Sequence, residues 1–190
     1  LHVVCRAVEI DIGVVTGQNH HKTPVDPAAR LHLTATSVNE SAYNGVMNPL
    51  NVLFVCYANT CRSPMAESIL KTIGGTSVNV VSAGLHPTGQ VAALSLHTLR
   101  SHGYPVTELS SKSLEAIDLD SIDVVISLMG EPGLAALPCR LTAERIAWSI
   151  RDPYGEDEDA YIATLKTMER KIRAFCHDYV QEDRPAEPPG

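Results

Sequence analysis

Long apolar runs are missing from these 190 residues, and so is any run of basic ones. The first absence leaves no stretch of the length that a bilayer span requires. The second, with 15 Lys and Arg against 22 Asp and Glu and a net charge of −7, argues against a nucleic-acid binder. Cysteine is sparse and odd in number: Cys5, Cys56, Cys61, Cys139 and Cys176 are not arranged as a secreted disulfide framework or a zinc site. His20-His21 has no further spaced ligand and reads as a solvated pair, so no metal or other cofactor is expected. Residues 1–15 are partly apolar, but Glu9 and Asp11 interrupt them and no signal-peptide cleavage pattern follows. What is present is a 44% hydrophobic content, enough for a full core in one domain.

Organisation is uneven along the chain. Residues 16–45 are rich in Thr, Asn, Ser and His with no sustained period, which reads as loop or disorder. The first methionine is Met47, just ahead of a strand-like run. The expectation is an appended, poorly ordered extension over 1–46, reflecting where the reading frame was taken to begin, and a domain over 47–180. A flexible tail over 181–190 follows, with Pro185, Pro188, Pro189 and Gly190.

Within the domain, apolar runs and helical periods alternate. Strands are expected at Val52–Val55, Val78–Ser82, Val124–Leu128 and Ala147–Ile150. Helices are expected over about Ser63–Ile73, Gln90–Ser101 and Gly133–Leu137. A long last helix carries Tyr161, Leu165, Met168, Ile172 and Phe175 at helical spacing. This alternation predicts an α/β fold in three layers: a doubly wound, four-stranded parallel sheet with helices on both faces. A site in such a fold lies at the carboxyl ends of the strands.

One segment sits there with chemistry in it. Val52-Leu53-Phe54-Val55 leads into Cys56, and Tyr57-Ala58-Asn59-Thr60-Cys61-Arg62 leads to Ser63-Pro64, which reads as a helix N-cap and first helical position. Backbone amides in such a loop can converge as an anion nest, and the helix dipole adds positive charge. Arg62 brings a planar fork suited to two phosphate oxygens. The same positive field favours the thiolate form of Cys56, the nucleophile. A thiolate under a bound tetrahedral oxyanion is phosphatase chemistry; the duller alternative is a buried core cysteine beside a capping arginine. Asp152-Pro153-Tyr154 is a second candidate. Proline holds Asp152 extended on a loop directly after a strand, at the same sheet edge as Cys56. The acidic run Glu156–Asp159 reads as the dipole-favouring first turn of the last helix.

The run from Val52 to Glu67 resembles the signature of the low-molecular-weight protein tyrosine phosphatase family, which includes protein arginine phosphatases and thioredoxin-coupled arsenate reductases. The likeness covers about residues 50–180. It implies that Cys56 is the nucleophile, that Tyr57, Ala58, Asn59, Thr60, Cys61 and Arg62 form the phosphate-binding loop, and that Asp152 is the general acid beside a walling Tyr154. It further implies that Asn59 is held by Ser63, Ser82 and His102, and that Ser63 donates to the thiolate. Two positions depart from the family: Ala58 stands where glycine is usual, which requires negative φ there, and Tyr57 is larger than its counterparts.

The resemblance leaves the reaction open. The arsenate reductases carry two further cysteines after the third strand, whereas here Ser127-Leu128-Met129-Gly130-Glu131-Pro132 is followed by Cys139 alone. The expectation is therefore a protein phosphatase acting on phosphotyrosine or phosphoarginine through a cysteinyl-phosphate. Thr60 resembles the threonine of the arginine phosphatases. The alternatives are single-cysteine arsenate reduction with an external thiol, and a phospho-residue binding module without turnover. Phosphorylated protein is the expected partner, with no nucleic acid or membrane, and the cytoplasm is the expected compartment, since a working thiolate needs reducing surroundings. Cys61, five residues after Cys56, is expected to capture an oxidised Cys56 as a disulfide.

Overall fold

Leu50–Cys56 forms strand β1 at an inner position of a four-stranded sheet. The computed structural model describes residues 48–180; the expectations for 1–46, for His20-His21 and for 181–190 lie outside the described residues. The other strands are β2 (Val78–Gly84), β3 (Val124–Ser127) and β4 (Glu144–Ala147), in the order β2-β1-β3-β4. Every pairing is parallel, with Cys56 opposite Gly84 and Val55 opposite Ser127.

Period-two alternation divides the core between the two faces of the sheet. Val52, Phe54 and Ile126 pack with Met65, Ile69 and Leu70 of helix α1 (Arg62–Gly74), Leu99 of α2 (Ala93–Ser101), and Leu165, Met168 and Ile172 of the last helix. Leu53, Val55 and Val125 join Leu114, Leu119, Ile122 and Leu137 on the other face. That second layer holds a short helix, α3 (Glu131–Ala135), and two 3₁₀ turns, Leu114–Ala116 and Leu119–Ser121. The last helix, α4 (Glu158–Val180), buries Tyr161, Leu165, Met168, Ile172 and Phe175, the stripe that its spacing predicts. Phe54 has no exposed surface, and its truncation to alanine would cost about 3–5 kcal/mol.

The structure corrects three local expectations. Helix α1 begins at Arg62, with Cys61 at the N-cap and no side-chain cap, so Ser63 lies inside the first turn and its hydroxyl is used elsewhere. The fourth strand lies earlier than its apolar run suggests: Glu144–Ala147 makes the ladder with Val124–Ser127, while Trp148 and Ile150, whose amides still donate to Ser127 O and Leu128 O, put their side chains into the core. Charged residues on this edge strand disfavour pairing with another chain. Helix α3 starts at Glu131, where Gly130 at φ 68° turns the chain into it. The acidic run also divides. Glu158 and Asp159 occupy the first turn of α4, Asp157 Oδ1 accepts from Ala160 N at 3.1 Å, and Glu156 pairs with Arg151. No helix among the described residues is long and apolar enough to cross a membrane.

Candidate active site

The loop between β1 and α1 is held from outside by its carbonyls. Leu85 N donates to Cys56 O at 3.2 Å, His86 N to Tyr57 O at 2.8 Å and Ala92 N to Thr60 O at 2.9 Å. Ala58 O accepts from Thr60 Oγ1 at 3.1 Å and from Ser111 Oγ at 3.0 Å. A trans peptide sets its N–H opposite its C=O, so carbonyls drawn outward turn the following amides inward. The loop also runs hard against β2. A Cβ on Gly84 would stand 2.8 Å from Asn59 N and 2.9 Å from Ala58 C, a contact that only glycine avoids.

Asn59 is the one non-glycine residue with positive φ among the described residues, at 49°, a geometry that asparagine tolerates. Ala58 is therefore outside the left-handed region and fits as an L-residue where the related signature has glycine. The Asn59 side chain is fully buried and fully used. Its Nδ2 donates to Ser63 Oγ at 2.8 Å and to Ser82 Oγ at 2.9 Å, while its Oδ1 accepts from Lys112 N at 2.8 Å. Ser63 and Ser82 stand where they were expected. His102 does not: it is exposed just past α2, and its Nδ1 meets Thr98 O at 2.8 Å. The end of that helix points its imidazole back along its own last turn. The third group on Asn59 is instead the Lys112 backbone N–H, and behind it Glu67 accepts from Ser82 Oγ at 2.5 Å.

Cys56, 2% exposed, places its sulfur 3.0 Å from Ser63 Oγ. The second loop meets the first through Arg62. Its Nη2 donates to Asp152 Oδ2 at 2.5 Å and its Nη1 to Ile150 O at 3.3 Å, while the buried Nε has no acceptor in the protein. The Arg62 side chain is 9% exposed and that of Asp152 is 46% exposed. A cleft of about 270 Å³ is lined by Cys56, Tyr57, Ala58, Thr60, Cys61 and Arg62 from one side and by Thr88, Asp152 and Tyr154. Thr60 and Thr88 hydroxyls touch at 2.8 Å. Tyr57 and Tyr154 are 54% and 69% exposed, and the Tyr57 ring lies 4.9 Å from that of His86. Cys61 Sγ is 3.5 Å from Tyr161 Oη, and burial pushes the Cys61 thiol up in pKa against the opposing hydrogen bonds of Tyr161 and Ser95.

Sequence reasoning missed Glu67, Thr88, Ser111 and Lys112. Glu67 looks like half of a surface i,i+4 pair with Lys71, which it also is, at 2.9 Å. Lys112 and Ser111 act largely through loop geometry, which carries no sequence pattern.

An α/β sheet with a thiol at the end of an inner strand, below a loop of inward amides and beside a buried guanidinium, defines an enzyme that handles tetrahedral oxyanions. The sequence model of the family described as low molecular weight phosphotyrosine protein phosphatase matches residues 51–186, and the chain belongs to that family. The glutaredoxin arsenate reductase of Synechocystis sp. is 34% identical over 122 residues, 64% of this chain and 92% of that protein. The protein-arginine-phosphatase of Bacillus subtilis is 28% identical over 151 residues, covering 71% of this chain and all of that protein. Among solved structures, a low molecular weight protein tyrosine phosphatase from T. tengcongensis superposes with a TM-score of 0.61 at 25% identity, covering 68% of this chain and 99% of the other.

Proposed function

We propose that the protein hydrolyses phosphorylated side chains of proteins, phosphotyrosine or phosphoarginine, through a cysteinyl-phosphate. The observation that carries this reading is the Cys56 sulfur, 3.0 Å from the Ser63 hydroxyl, in one cleft with Arg62 and Asp152. Cys56 attacks phosphorus, forming an S–P bond as the P–O or P–N bond breaks, and Asp152 gives its proton to the departing oxygen or nitrogen. Water then attacks phosphorus, the S–P bond breaks, and Asp152 takes the water's proton. The inward amides of the loop and Arg62, whose Nε–H has no protein acceptor, hold the equatorial oxygens. The Ser63 hydroxyl stabilises sulfur as it leaves. A purely binding module has no use for a nucleophile and an acid in one cleft.

Thr60 and Thr88 favour phosphoarginine, since two hydroxyls in the cleft lining offer acceptors to a guanidinium, where a phenol ring has no donor on its edge. The name of the Bacillus subtilis relative agrees with that choice. Arsenate reduction is the second reading, favoured by the Synechocystis relative. It would proceed with an external thiol, because Ser127–Pro132 carries no cysteine. Parallel assays on phosphotyrosine peptide, phosphoarginine peptide and arsenate plus a small thiol separate the three. Phosphate release from either peptide, with arsenate untouched, is the expected result. Arsenate turnover without phosphate release would overturn the proposal. A reducing cytoplasmic compartment suits the working thiolate.

A further inference from the structure

We infer that Tyr57 is a specificity-determining residue: with Tyr154 it makes the cleft a slot that selects flat leaving groups over aliphatic phosphate esters. The inference rests on the cleft receiving an oxyanion, as the proposed phosphatase site requires. Among the described residues, the large apolar side chains left exposed are Tyr57 and Tyr154, and both line the cleft that holds Cys56. A single exposed ring on a surface requires no account. Two, brought to the mouth of one cleft by two separate loops, do. Tyr57 is also a position where this chain departs from the related signature, whose residue after the cysteine is smaller.

The Tyr57 ring is held from behind. His86 N donates to Tyr57 O at 2.8 Å, and the His86 ring lies 4.9 Å from the Tyr57 ring with 47° between their planes. His86 does not line the cleft, so it backs Tyr57 on the side away from the substrate. A tyrosine has few side-chain torsions to order, and a neighbour that restrains them lowers the cost of using the ring in recognition. Between the two tyrosines the lining residues are small, Ala58, Thr60 and Thr88 among them, which leaves room for a group to enter. What suits that room is set by the chemistry of an aromatic face. A phenol ring packs against it offset or edge-on. A guanidinium lies flat over it, its positive charge drawn to the negative face. Phosphoserine and phosphothreonine have no flat group, and they leave both rings uncovered when their phosphate sits in the cradle. The phosphoryl oxygens are held by the loop amides and Arg62, so Tyr57 governs which side chain carries the phosphoryl group and not how that group is gripped.

Binding of phenylphosphonate and of methylphosphonate to the full chain, measured by calorimetry, reads the slot without turnover. The two probes carry the same oxyanion and differ by a ring. A failure to hydrolyse phosphorylated peptides therefore leaves this test standing. Tyr57→Ala should weaken phenylphosphonate about fivefold, the scale of one aromatic contact, and methylphosphonate by less than about twofold. With 54% of its surface exposed, Tyr57 can be replaced without unfolding the chain. Tyr57→Phe keeps the ring and should bind phenylphosphonate within about twofold of wild type. His86→Ala, which removes the backing ring, should weaken phenylphosphonate by about twofold to threefold and leave methylphosphonate unmoved. Equal losses on both phosphonates in Tyr57→Ala would mean that residue 57 shapes the cradle and not a slot, and would overturn the inference. So would an unchanged phenylphosphonate affinity in Tyr57→Ala, or a phenylalanine variant as weak as the alanine one. If the wild type binds neither phosphonate, the cleft takes no oxyanion, and the inference falls together with the phosphatase reading.

Discussion

The two sides of the cleft are built on opposite terms. The loop from Cys56 to Arg62 is sunk in the protein apart from Tyr57: Asn59 has no exposed surface, and the bracing donors come from the segment after β2 and from Ser111-Lys112. The loop from Arg151 to Tyr154 stands in water, with Asp152 and Tyr154 exposed and Arg151 paired to Glu156 across solvent. The first side has to present fixed dipoles to a charge, and fixed dipoles work best when buried and saturated. On the proposed mechanism the second hands over a proton and later collects one from water, so contact with solvent serves it. On that mechanism, recognition of the oxyanion falls to the core and proton traffic to the rim.

The largest expected effect breaks the buried side. Cys56→Ser should lose turnover of p-nitrophenyl phosphate by a factor on the order of 10⁴, while phosphate binding by calorimetry survives. Turnover of a few per cent would remove Cys56 from the nucleophile's role. Next comes the exposed side. Asp152→Ala should lower kcat about 10²–10³-fold on poor leaving groups and far less on good ones. Its melting temperature should barely move, because an ion pair with a half-exposed partner contributes little. Equal loss on all leaving groups would contradict the acid role.

Gly84→Ala tests the bracing. Its new Cβ would fall inside contact distance of the Asn59 and Ala58 backbone, so a loss of about 1–3 kcal/mol in stability is expected together with weaker phosphate inhibition. Unchanged inhibition would mean that the loop's shape does not depend on β2. A smaller effect concerns Cys61. Burial pushes the pKa of this thiol up, so Cys61 is itself slow to react with peroxide. After peroxide and then dithiothreitol, wild type should recover activity and Cys61→Ser should recover much less; equal recovery would end the idea. The smallest effect is expected from starting the chain at Met47, since every described site group lies between Cys56 and Asp152–Tyr154. A large fall in melting temperature or activity would show that residues 1–46 contribute to the domain.

The strand, loop and helix around Cys56 were legible because their information is contiguous: the apolar run, the thiol, the arginine and the Ser-Pro follow one another. The stripe on α4 was legible for the same reason, a period carried within one element. What failed depended on where separate elements meet. Ala147–Ile150 looks like a strand by composition, but the ladder ends at Ala147, and Trp148 packs against Phe54 of β1 and Phe175 of α4. His102 was expected beside Asn59, yet which way a helix end faces is decided by packing that no local pattern records. Glu67 was invisible because an acidic residue four before a lysine ordinarily marks a wet surface.

Tyr57 and Tyr154 project from the ends of the two loops with most of their surface in water, and neither fills space in the core. Substitutions at these two positions therefore meet little resistance from folding. The residues that contour the cleft's entrance can drift while the oxyanion cradle beneath them stays constant.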